Sequence, residues 1–488
     1  MKNRILTSLL CLLAITTSCD LDKYPSSSIE QSQAFKTLKD ASTIRTGLYS
    51  LLRNATSGRF IYNTDFQSDL LNATLDYGNR GGLIYRWEFI ESDVNLRDYW
   101  QVNYQLICNV NSFLDNASKI APLSTTEQSQ LDIYIGEASL MRALAYHNLV
   151  IRYAKDYEPS TAASTHGLPI VLTYDPNAKP ARATLEQTYQ QIKADISVAK
   201  EKLTTAGASN SYYLTEDAVK ALEARVALYS HDWNTAISAS NDIIAKYPLA
   251  DNVDEILSIW RNDSGSEIIT KLFMSSNELS GQMNVYITYN TSINSNVPDF
   301  VPQQWVVDLY SDDDIRKPAY LKKEKITIQG REYNEVYMIN KYPGNPALWT
   351  TAVSNYYHMV KLFRSAEAYL IKAEAAYRAN QPLVAVSALN SLREKRGISA
   401  LSTSLTGTEL FAAIQEERTR EMLCEGTRLD DLKRWGLGFQ RGLPQNVGMV
   451  STGTSASGLS VQPNNQRFVW EIPANDLQTN ENLVPNWQ

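Results

Sequence analysis

Residues 215–249 read TEDAVKALEARVALYSHDWNTAISASNDIIAKYPL, and this stretch predicts two antiparallel helices joined by a short turn near residues 231–234. Ala224, Ala236 and Pro248 follow one another at intervals of twelve residues. Alanine at a helix crossing lets two backbones approach closely, and proline ends a helix because it cannot donate the next hydrogen bond. The stretch therefore predicts a closely packed helical hairpin.

A second stretch follows the same template. Residues 364–397 read RSAEAYLIKAEAAYRANQPLVAVSALNSLREKRG, in which Ala373 and Ala385 repeat the interval of twelve. Asn380 and Pro382 mark the start of its second helix, and a glycine stands in place of the closing proline. These intervals are typical of the small contact residues in tetratricopeptide repeats. We therefore predict a second hairpin of the same kind.

Further amphipathic helices extend this pattern. Residues 134–153 and 182–203 each place apolar side chains on one stripe, with Thr184 as the N-cap of the second helix. A weaker pair joins residues 35–52 to residues 97–114. The sequence thus predicts a mostly α fold in which about four tetratricopeptide-like hairpins stack as in a solenoid. An ordinary helical bundle, with the alanine spacing due to chance, is the alternative.

Long polar segments separate the predicted helices and indicate a loop-rich lobe with short strands. These segments are rich in Gly, Asn, Ser, Asp and aromatic residues, and they cover residues 54–96, 154–180, 250–360 and 436–488. Two runs in them are typical of strands, SEIITKLF at 266–273 and KITIQG at 325–330. Loops of such length in a compact domain usually carry function.

The first residues are typical of a leader. Lys2 and Arg4 precede an apolar run at residues 5–15, which is shorter than the roughly 20 residues of a transmembrane helix and fits a secretory signal. Cys19 follows small polar residues, where bacterial lipoproteins are cleaved and acylated. We therefore predict a signal peptide at residues 1–18 and a lipid anchor on Cys19. A secretory signal cleaved elsewhere, with Cys19 uninvolved, is the alternative.

The charge of the chain argues against two classes of partner. The formal net charge is −7, and loss of Lys2 and Arg4 with the leader makes it −9. A negative surface repels nucleic acid and anionic membrane surfaces. We therefore expect neither of them as a partner.

The remaining cysteines and the histidines form no metal-binding pattern. Cys108 and Cys424 lie in apolar helical patterns, and although the predicted compartment permits a disulfide, two buried free thiols are the favoured interpretation. The 4 histidines are scattered in unlike contexts, and no Cys/His cluster has the spacing of zinc ligands. We expect no metal and no cofactor.

Glu417, Glu421 and Glu425 repeat at intervals of four and are predicted to line one helix face. Such carboxylates could form a general acid/base pair. Like charges at this spacing repel unless cations compensate them, so we favour a structural ion-pair network. The predicted compensating residues are Arg418, Arg420, Arg428 and Arg434.

Three consecutive carboxylates occur in SDDDIR, residues 311–316. A calcium loop alternates its oxygen ligands and contains a glycine turn, and both features are missing here. We therefore predict a solvated turn in which Asp314 pairs with Arg316.

The aromatic composition indicates a partly wet contact surface. The chain has 28 Tyr and 9 Trp against 11 Phe, and Tyr and Trp combine a flat apolar face with one polar group. Helix packing uses the same residues, so Trp100, Tyr146 and Tyr189 in predicted helices are poor candidates for ligand contact. Aromatic residues in loops are better ones.

The candidate ligand-binding residues combine ring faces with Asp, Asn and Arg side chains, which can hydrogen-bond to hydroxyl groups. Most of them belong to SDLLNATLDYGNRGGLIYRWEFIESD at residues 68–93, and the rest lie in two other polar loops. The candidates are Asp69, Asp76, Tyr77, Asn79, Arg80, Arg86, Trp87, Tyr286, Tyr289 and Trp349. Ordinary loop packing or contact with a partner protein is an equal alternative for each.

Several motifs occur in a specific order along the chain. GLPIVL at residues 167–172 is followed by a run of matching positions from Arg182 to Asp195. The most specific motif is EERTREMLCEGTRLDDLKRWG at residues 416–436, and the chain closes with FVWEIPANDLQTNENLVPNWQ at residues 468–488. This order resembles the SusD/RagB family of outer-membrane nutrient-binding lipoproteins.

The resemblance implies stacked helical hairpins with a loop-rich lobe, in an N-terminal region of residues 19–250 and a C-terminal region of residues 251–488. It implies a partner, a TonB-dependent outer-membrane barrel of the SusC/RagA type. The implied ligand is an oligomeric nutrient, a glycan first and a peptide as the alternative. Residues 68–93 correspond to a region from which relatives draw binding residues. The implied place is the outer membrane, facing the cell exterior, and the implied role is not catalytic.

Two other functions stay open. The chain could be a structural subunit that holds the barrel while ligand specificity lies elsewhere. A glycoside hydrolase would need two carboxylates about 5 to 9 Å apart in a cleft. The sequence contains no pair of carboxylates that neighbouring cations do not already explain.

Overall fold

The computed structural model of the protein describes residues 35–120 and 123–487. The predicted signal peptide at residues 1–18 and the predicted lipid anchor at Cys19 lie outside the described residues. The described chain is mostly helical and carries a few short strands, as predicted.

Helices and strands are numbered in chain order. The helices are α1 (Leu38–Ala55), α2 (Arg59–Gln67), α3 (Gly82–Arg86), α4 (Val94–Ala117), α5 (Thr125–Tyr153), α6 (Leu185–Lys202), α7 (Glu216–Tyr229), α8 (Trp233–Lys246), α9 (Val253–Arg261), α10 (Gln304–Asp308), α11 (Lys317–Tyr320), α12 (Ser365–Arg378), α13 (Pro382–Lys395), α14 (Gly407–Glu421), α15 (Arg428–Arg434) and α16 (Ala474–Thr479). The strands are β1 (Leu71–Ala73), β2 (His166–Pro169), β3 (Arg182–Thr184), β4 (Ile268–Lys271), β5 (Tyr289–Asn290), β6 (Ser295–Asn296), β7 (Phe300–Pro302), β8 (Leu321–Ile328), β9 (Arg331–Ile339), β10 (Lys361–Arg364), β11 (Phe439–Gln440) and β12 (Ser460–Val461). Short 3-10 turns lie at Pro346–Leu348, Val447–Met449 and Gln466–Phe468.

The two hairpins predicted from alanine spacing are confirmed as α7–α8 and α12–α13. Ala224 and Ala236 in the first hairpin, and Ala373 and Ala385 in the second, are buried. Pro382 is the first residue of α13, where an N–H group would have no partner within the helix. Helix α8 packs against α12, so the two hairpins stack around an alanine-rich cluster.

The N-terminal helices continue this frame. Helix α1 packs against α4, α4 against α5, α5 against α6, and α6 against α7. Trp100, Tyr146 and Tyr189 are buried in the core that these helices share, as predicted. The helical frame therefore extends from α1 to the stacked hairpins.

Thr184 is the N-cap of α6, as predicted. Its side-chain oxygen accepts a hydrogen bond from Gln187 N at 3.1 Å, and the Gln187 side chain accepts one from Thr184 N at 2.9 Å. We expect Thr184→Ala to lower the free energy of unfolding by about 1 kcal/mol in urea denaturation, because Gln187 N loses its acceptor. The control is Thr406→Ala, since Thr406 is the N-cap of α14 without a side-chain cap hydrogen bond. Equal losses in the two variants would contradict the prediction.

Both predicted strands are confirmed, as β4 and β8. Strand β4 pairs antiparallel with β10, and β8 pairs antiparallel with β9. The turn between β8 and β9 consists of Gln329 and Gly330, which both have positive φ, 50° and 72°, as tight hairpins require. The largest sheet among the described residues has the strand order β5-β6-β8-β9.

The segment at residues 54–96 is more structured than the loop that the sequence predicts. It holds α2, α3 and β1, and β1 pairs antiparallel with β7. Phe66 of α2 is fully buried and stacks on Phe300 with ring centroids 3.9 Å apart. The partner of Phe66 lies far along the chain, so local sequence alone did not reveal this packing.

Cys108 and Cys424 are free thiols, as predicted. Cys424 is buried, whereas Cys108 is only half-buried. The predicted helical setting of Cys424 is wrong, because α14 ends at Glu421 and Cys424 has a left-handed backbone with φ of 54°.

Candidate functional site

A cleft of about 540 Å³ lies where α9, the four-stranded sheet and the loop after β9 meet. Its aromatic walls include Trp260, Tyr289, Trp349 and Tyr356, and its polar walls include Arg261, Asn296, Lys322 and Glu324. We call it the aromatic cleft. It brings together two candidate residues, Tyr289 and Trp349, that the sequence places 60 positions apart.

Tyr289 is the most open ring of this cleft. Its side chain is 38% exposed, and its hydroxyl donates a hydrogen bond to Asn294. Its backbone N–H donates to the Tyr356 hydroxyl at 2.7 Å. The ring is therefore held from both its backbone and its hydroxyl end, so a ligand would meet a face that is already ordered.

Trp349 is positioned by the turn that precedes it. Asn345 caps the 3-10 turn by accepting from Ala347 N at 2.9 Å, and its amide donates to Asp263 Oδ2 at 2.8 Å. Gly344 has a φ of 85°, and a Cβ atom there would lie 2.3 Å from Ser354 Oγ. Glycine is therefore needed for the loop to fold back on itself at this point.

The polar wall of the cleft contains one ion pair and one unpaired cation. Lys322 Nζ lies 2.6 Å from Glu324 Oε1, and the Asn296 amide donates to Glu324 Oε2 at 2.7 Å. Arg261 is exposed, and its guanidinium group has no ion pair or hydrogen bond to any residue in the described ranges. Ring faces beside hydrogen-bonding groups in a concave surface suit a small polar ligand with apolar faces.

A second cleft, of about 490 Å³, contains Arg80 and is lined by Phe60, Tyr62 and Asn284. We call it the Arg80 cleft. Arg80 Nη1 lies 2.9 Å from Asp299 Oδ2 and donates to Asn284 Oδ1 at 3.2 Å. Burial raises the pKa of Asp299 to about 6, although the charge of Arg80 opposes this shift.

Two family models match the chain, one in its N-terminal part and one in its C-terminal part. Residues 320–488 match a model described as the SusD family, and residues 21–228 match a model described as starch-binding associating with outer membrane. The chain belongs to the SusD family. The resemblance that the motifs at residues 416–436 and 468–488 indicated is thereby confirmed.

Relatives and solved structures agree with this SusD-family assignment. SusD-like protein P38 of Formosa agariphila is 24% identical over 482 residues, which cover 89% of this chain and 91% of that protein. The starch-binding protein SusD of Bacteroides thetaiotaomicron is 32% identical over 128 residues, 26% of this chain and 21% of that protein. A SusD superfamily crystal structure from Bacteroides thetaiotaomicron has a TM-score of 0.79 at 23% identity, covering 93% of this chain and 100% of that one. A laminarin-binding SusD-like protein has a TM-score of 0.70 at 20% identity, covering 93% and 99%.

SusD-family proteins are non-catalytic binding proteins, which agrees with the prediction that this chain is not an enzyme. The carboxylates that could have formed an acid/base pair belong instead to a buried ion-pair network. Glu421, the last residue of α14, contacts Arg316, Arg364 and Arg396 at 3.0, 2.9 and 3.0 Å. Burial alone would raise the pKa of Glu421, but the guanidinium groups of Arg396, Arg364 and Arg316 hold it well below its ordinary value.

The network was predicted, but most of its partners were not. Glu417 pairs with Arg420, as predicted, and also with Arg316 and Arg393. The predicted helix face ends at Glu421, so Glu425 leaves it and binds Lys341 and Arg364. The other predicted cations neutralise acids elsewhere, Arg418 at Asp431, Arg428 at Asp69 and Arg434 at Glu374.

The SDDDIR turn is linked to this network. Asp314 pairs with Arg316 at 2.8 Å, as predicted. Ser311, Asp312 and Asp313 are exposed, as the predicted solvated turn requires, but Asp314 and Arg316 are buried, so the prediction is wrong for this pair. Arg316 is buried because it also binds Glu417 and Glu421 of α14.

The remaining candidate residues of this SusD-family protein separate into groups. Arg86 Nη1 donates to the Tyr77 hydroxyl at 2.9 Å and to Asn79 Oδ1 at 2.8 Å, which forms a polar patch on the surface. Asp76 accepts a hydrogen bond from Gln329 N at 2.9 Å, beside the β8–β9 turn. Asp69 is buried and pairs with Arg428 at 2.7 Å. None of these five side chains lines the aromatic cleft of the described structure.

Two candidate rings, Trp87 and Tyr286, are buried. Trp87 Nε1 donates to Gln67 O at 2.7 Å, and its ring packs edge-on against Phe468 with centroids 4.8 Å apart. The Tyr286 hydroxyl donates to Asp65 Oδ2 at 3.0 Å, and its ring stacks on Tyr342. Neither ring face is open to a ligand in this structure, because distant parts of the chain cover both.

Sequence reasoning missed several walls of the aromatic cleft. Trp260 and Arg261 end a short helix, and Tyr356 has a left-handed backbone with φ of 57° in a loop. Asn296, Lys322 and Glu324 come from neighbouring strands β6 and β8. The sequence feature that could have pointed to this wall is the Trp-Arg pair at residues 260–261, which directly precedes the polar run NDSG at residues 262–265.

Proposed function

We propose that this SusD-family protein binds an oligomeric glycan in the aromatic cleft and delivers it to a SusC-type TonB-dependent outer-membrane transporter. One observation carries the proposal. Tyr289 and Trp349 lie in separate loops of the sequence, yet both line one concave surface together with polar groups. Aromatic faces can stack on sugar rings, while Asn and charged side chains bind the hydroxyl groups. Because the site is open, we expect weak affinity for each sugar and tighter binding of a polymer.

The names of relatives support a glycan over a peptide as the ligand. One matching family model is described as starch-binding, one relative is a starch-binding protein, and one structural neighbour binds laminarin. The polar patch of Tyr77, Asn79 and Arg86, together with the Arg80 cleft, is a second candidate contact region for a long glycan.

The proposed location is the outer membrane, facing the cell exterior, with lipid on Cys19 as the anchor. The description of one matching family model refers to association with the outer membrane. In the part of the chain that the structure describes, no helix is both long and apolar enough to cross a bilayer. A lipid anchor would hold such a chain at the membrane without spanning it.

Removal of the Trp349 ring tests the proposed site. We expect Trp349→Ala to weaken retention in polysaccharide affinity gels about tenfold or more, because a stacking face is lost. Tyr289→Ala should have a similar effect. Tyr174→Ala is the matched control, since Tyr174 is 53% exposed but does not line the aromatic cleft.

The outcomes separate the proposed function from its alternatives. Normal retention by Trp349→Ala and Tyr289→Ala would place the glycan outside this cleft. Retention of no polysaccharide by the unaltered protein would contradict glycan binding and favour a peptide ligand or a structural subunit of the transporter. Growth on the glycan should fall in the two cleft variants and remain normal in Tyr174→Ala.

A further inference from the structure

The charges that line the aromatic cleft do not balance. Lys322 and Glu324 neutralise each other at 2.6 Å, and the second carboxylate oxygen of Glu324 accepts from Asn296. Arg261 is the third charged residue of the wall. It is exposed at the end of α9, and its guanidinium group makes no ion pair or hydrogen bond with residues 35–120 or 123–487. The cleft therefore presents one positive charge that no residue of the described chain neutralises.

Two further donors of the cleft wall also lack acceptors. The indole Nε1 atoms of Trp349 and Trp260 are buried and have no hydrogen-bond partner in the described chain. Both atoms lie beneath the surface of the cleft wall, so a bound ligand does not reach them. In the described chain, the unpaired donor that the cleft offers to a ligand is therefore the guanidinium group of Arg261.

We propose that the glycan is anionic, with a carboxylate or sulfate ester on its sugar units, and that Arg261 binds this group. The inference rests on the proposed function, because it names the ligand class of the same cleft. A guanidinium group donates two parallel hydrogen bonds to a planar carboxylate and also matches sulfate oxygens. Arg261 thus sets the preference for charge, while Tyr289 and Trp349 supply the ring faces.

The negative net charge of the chain is compatible with this ligand. Charges on an exposed surface are screened beyond about 8 Å at physiological ionic strength, so the net charge of −7 acts weakly at a contact with Arg261. The same net charge repels polyanions from the rest of the surface. Within the cleft, an anionic glycan therefore meets its unpaired cation at Arg261.

Polysaccharides with the same backbone and different charge test the proposal. Polygalacturonate and its methyl ester differ only in the carboxylate, and dextran sulfate and dextran differ only in the sulfate ester. In at least one of these two pairs, we expect the charged polysaccharide to retain the unaltered protein about fivefold more strongly than the neutral polysaccharide does. Arg261→Gln should abolish this difference, and Arg261→Lys should restore part of it, because lysine keeps the charge without the planar fork.

Arg331→Gln is the matched control, since Arg331 is an exposed arginine at the start of β9 and does not line the cleft. It should leave the preference unchanged. A charge preference that persists in Arg261→Gln would overturn the role of Arg261. Equal retention of charged and neutral members, lost in Trp349→Ala, would overturn the anionic ligand and leave the proposed function standing. Retention of no polysaccharide would overturn both.

Discussion

Glu421→Gln is expected to lower the free energy of unfolding by about 3–5 kcal/mol, as removal of one partner from a buried ion pair does. Both carboxylate oxygens of Glu421 are used. Oε1 accepts from Arg364, Arg396 and the Tyr320 hydroxyl, the last at 3.1 Å, and Oε2 accepts from Arg316 and Arg396. Glutamine keeps the volume of the side chain. The loss therefore reports the missing negative charge among three buried guanidinium groups.

Urea denaturation at neutral pH, followed by circular dichroism, measures this effect. The control is Glu416→Gln on the same helix, where Glu416 is half exposed and pairs with Arg420. An exposed pair of this kind contributes less than about 1 kcal/mol. Similar midpoints for the two variants would contradict the claim that Glu421 holds the network together.

The network also gives a direction for acid sensitivity. The pKa of Glu421 is held well below its ordinary value of 4.5 in the folded protein. A carboxyl group with a depressed folded-state pKa contributes stability above its unfolded value and loses it as the pH falls through the folded value. Glu421→Gln should therefore lose less stability on acidification than the unaltered protein does.

The second large effect concerns Asp65, which titrates in the opposite sense. Burial raises its pKa from 3.8 to about 7, although hydrogen bonds from the Tyr286 hydroxyl and from Gly426 N lower it. Between these two values the folded state binds a proton that the unfolded state has released. Ionisation of Asp65 therefore lowers stability as the pH rises from about 4 to about 7, by about 4 kcal/mol in total.

Asp65→Asn isolates this effect. The difference in unfolding free energy between Asp65→Asn and the unaltered protein should increase by about 4 kcal/mol, in favour of the variant, from pH 4 to pH 8. Any pH-independent effect of the amide on the free energy of unfolding is the same at both pH values and does not alter this change. Tyr286→Phe should move the loss of stability to higher pH, because the carboxylate loses a donor. A difference that is constant from pH 4 to pH 8 would show that Asp65 stays ionised throughout.

The helical frame could be predicted because its signals are local. Ala224 and Ala236, or Ala373 and Ala385, mark helix crossings within one hairpin, and each pair is separated by only twelve residues. A cap such as Thr184 contacts a residue three positions away. Contacts between residues so close along the chain leave a pattern that a short window of sequence already shows.

The site could be predicted only in part, because burial in loops depends on distant partners. Trp87 and Tyr289 look alike in sequence, as aromatic residues in polar loops, but Phe468 covers the first and the second stays open. Arg418 lies beside the glutamates of α14 in sequence, yet it binds Asp431 beyond the end of that helix. Which charge neutralises which is decided by the packing of segments far apart along the chain.

The walls of the aromatic cleft have a simple position in the chain. All of them belong to the single excursion between the end of α8 at Lys246 and the start of α12 at Ser365, and those two helices pack side by side. The excursion therefore leaves and re-enters the frame at neighbouring points, so its length and sequence can change at little entropic cost to the frame. An exchange of this excursion between relatives should transfer ligand choice only if it keeps Arg316, Phe300 and Tyr286, which bind or pack against Glu421, Phe66 and Asp65 of the frame.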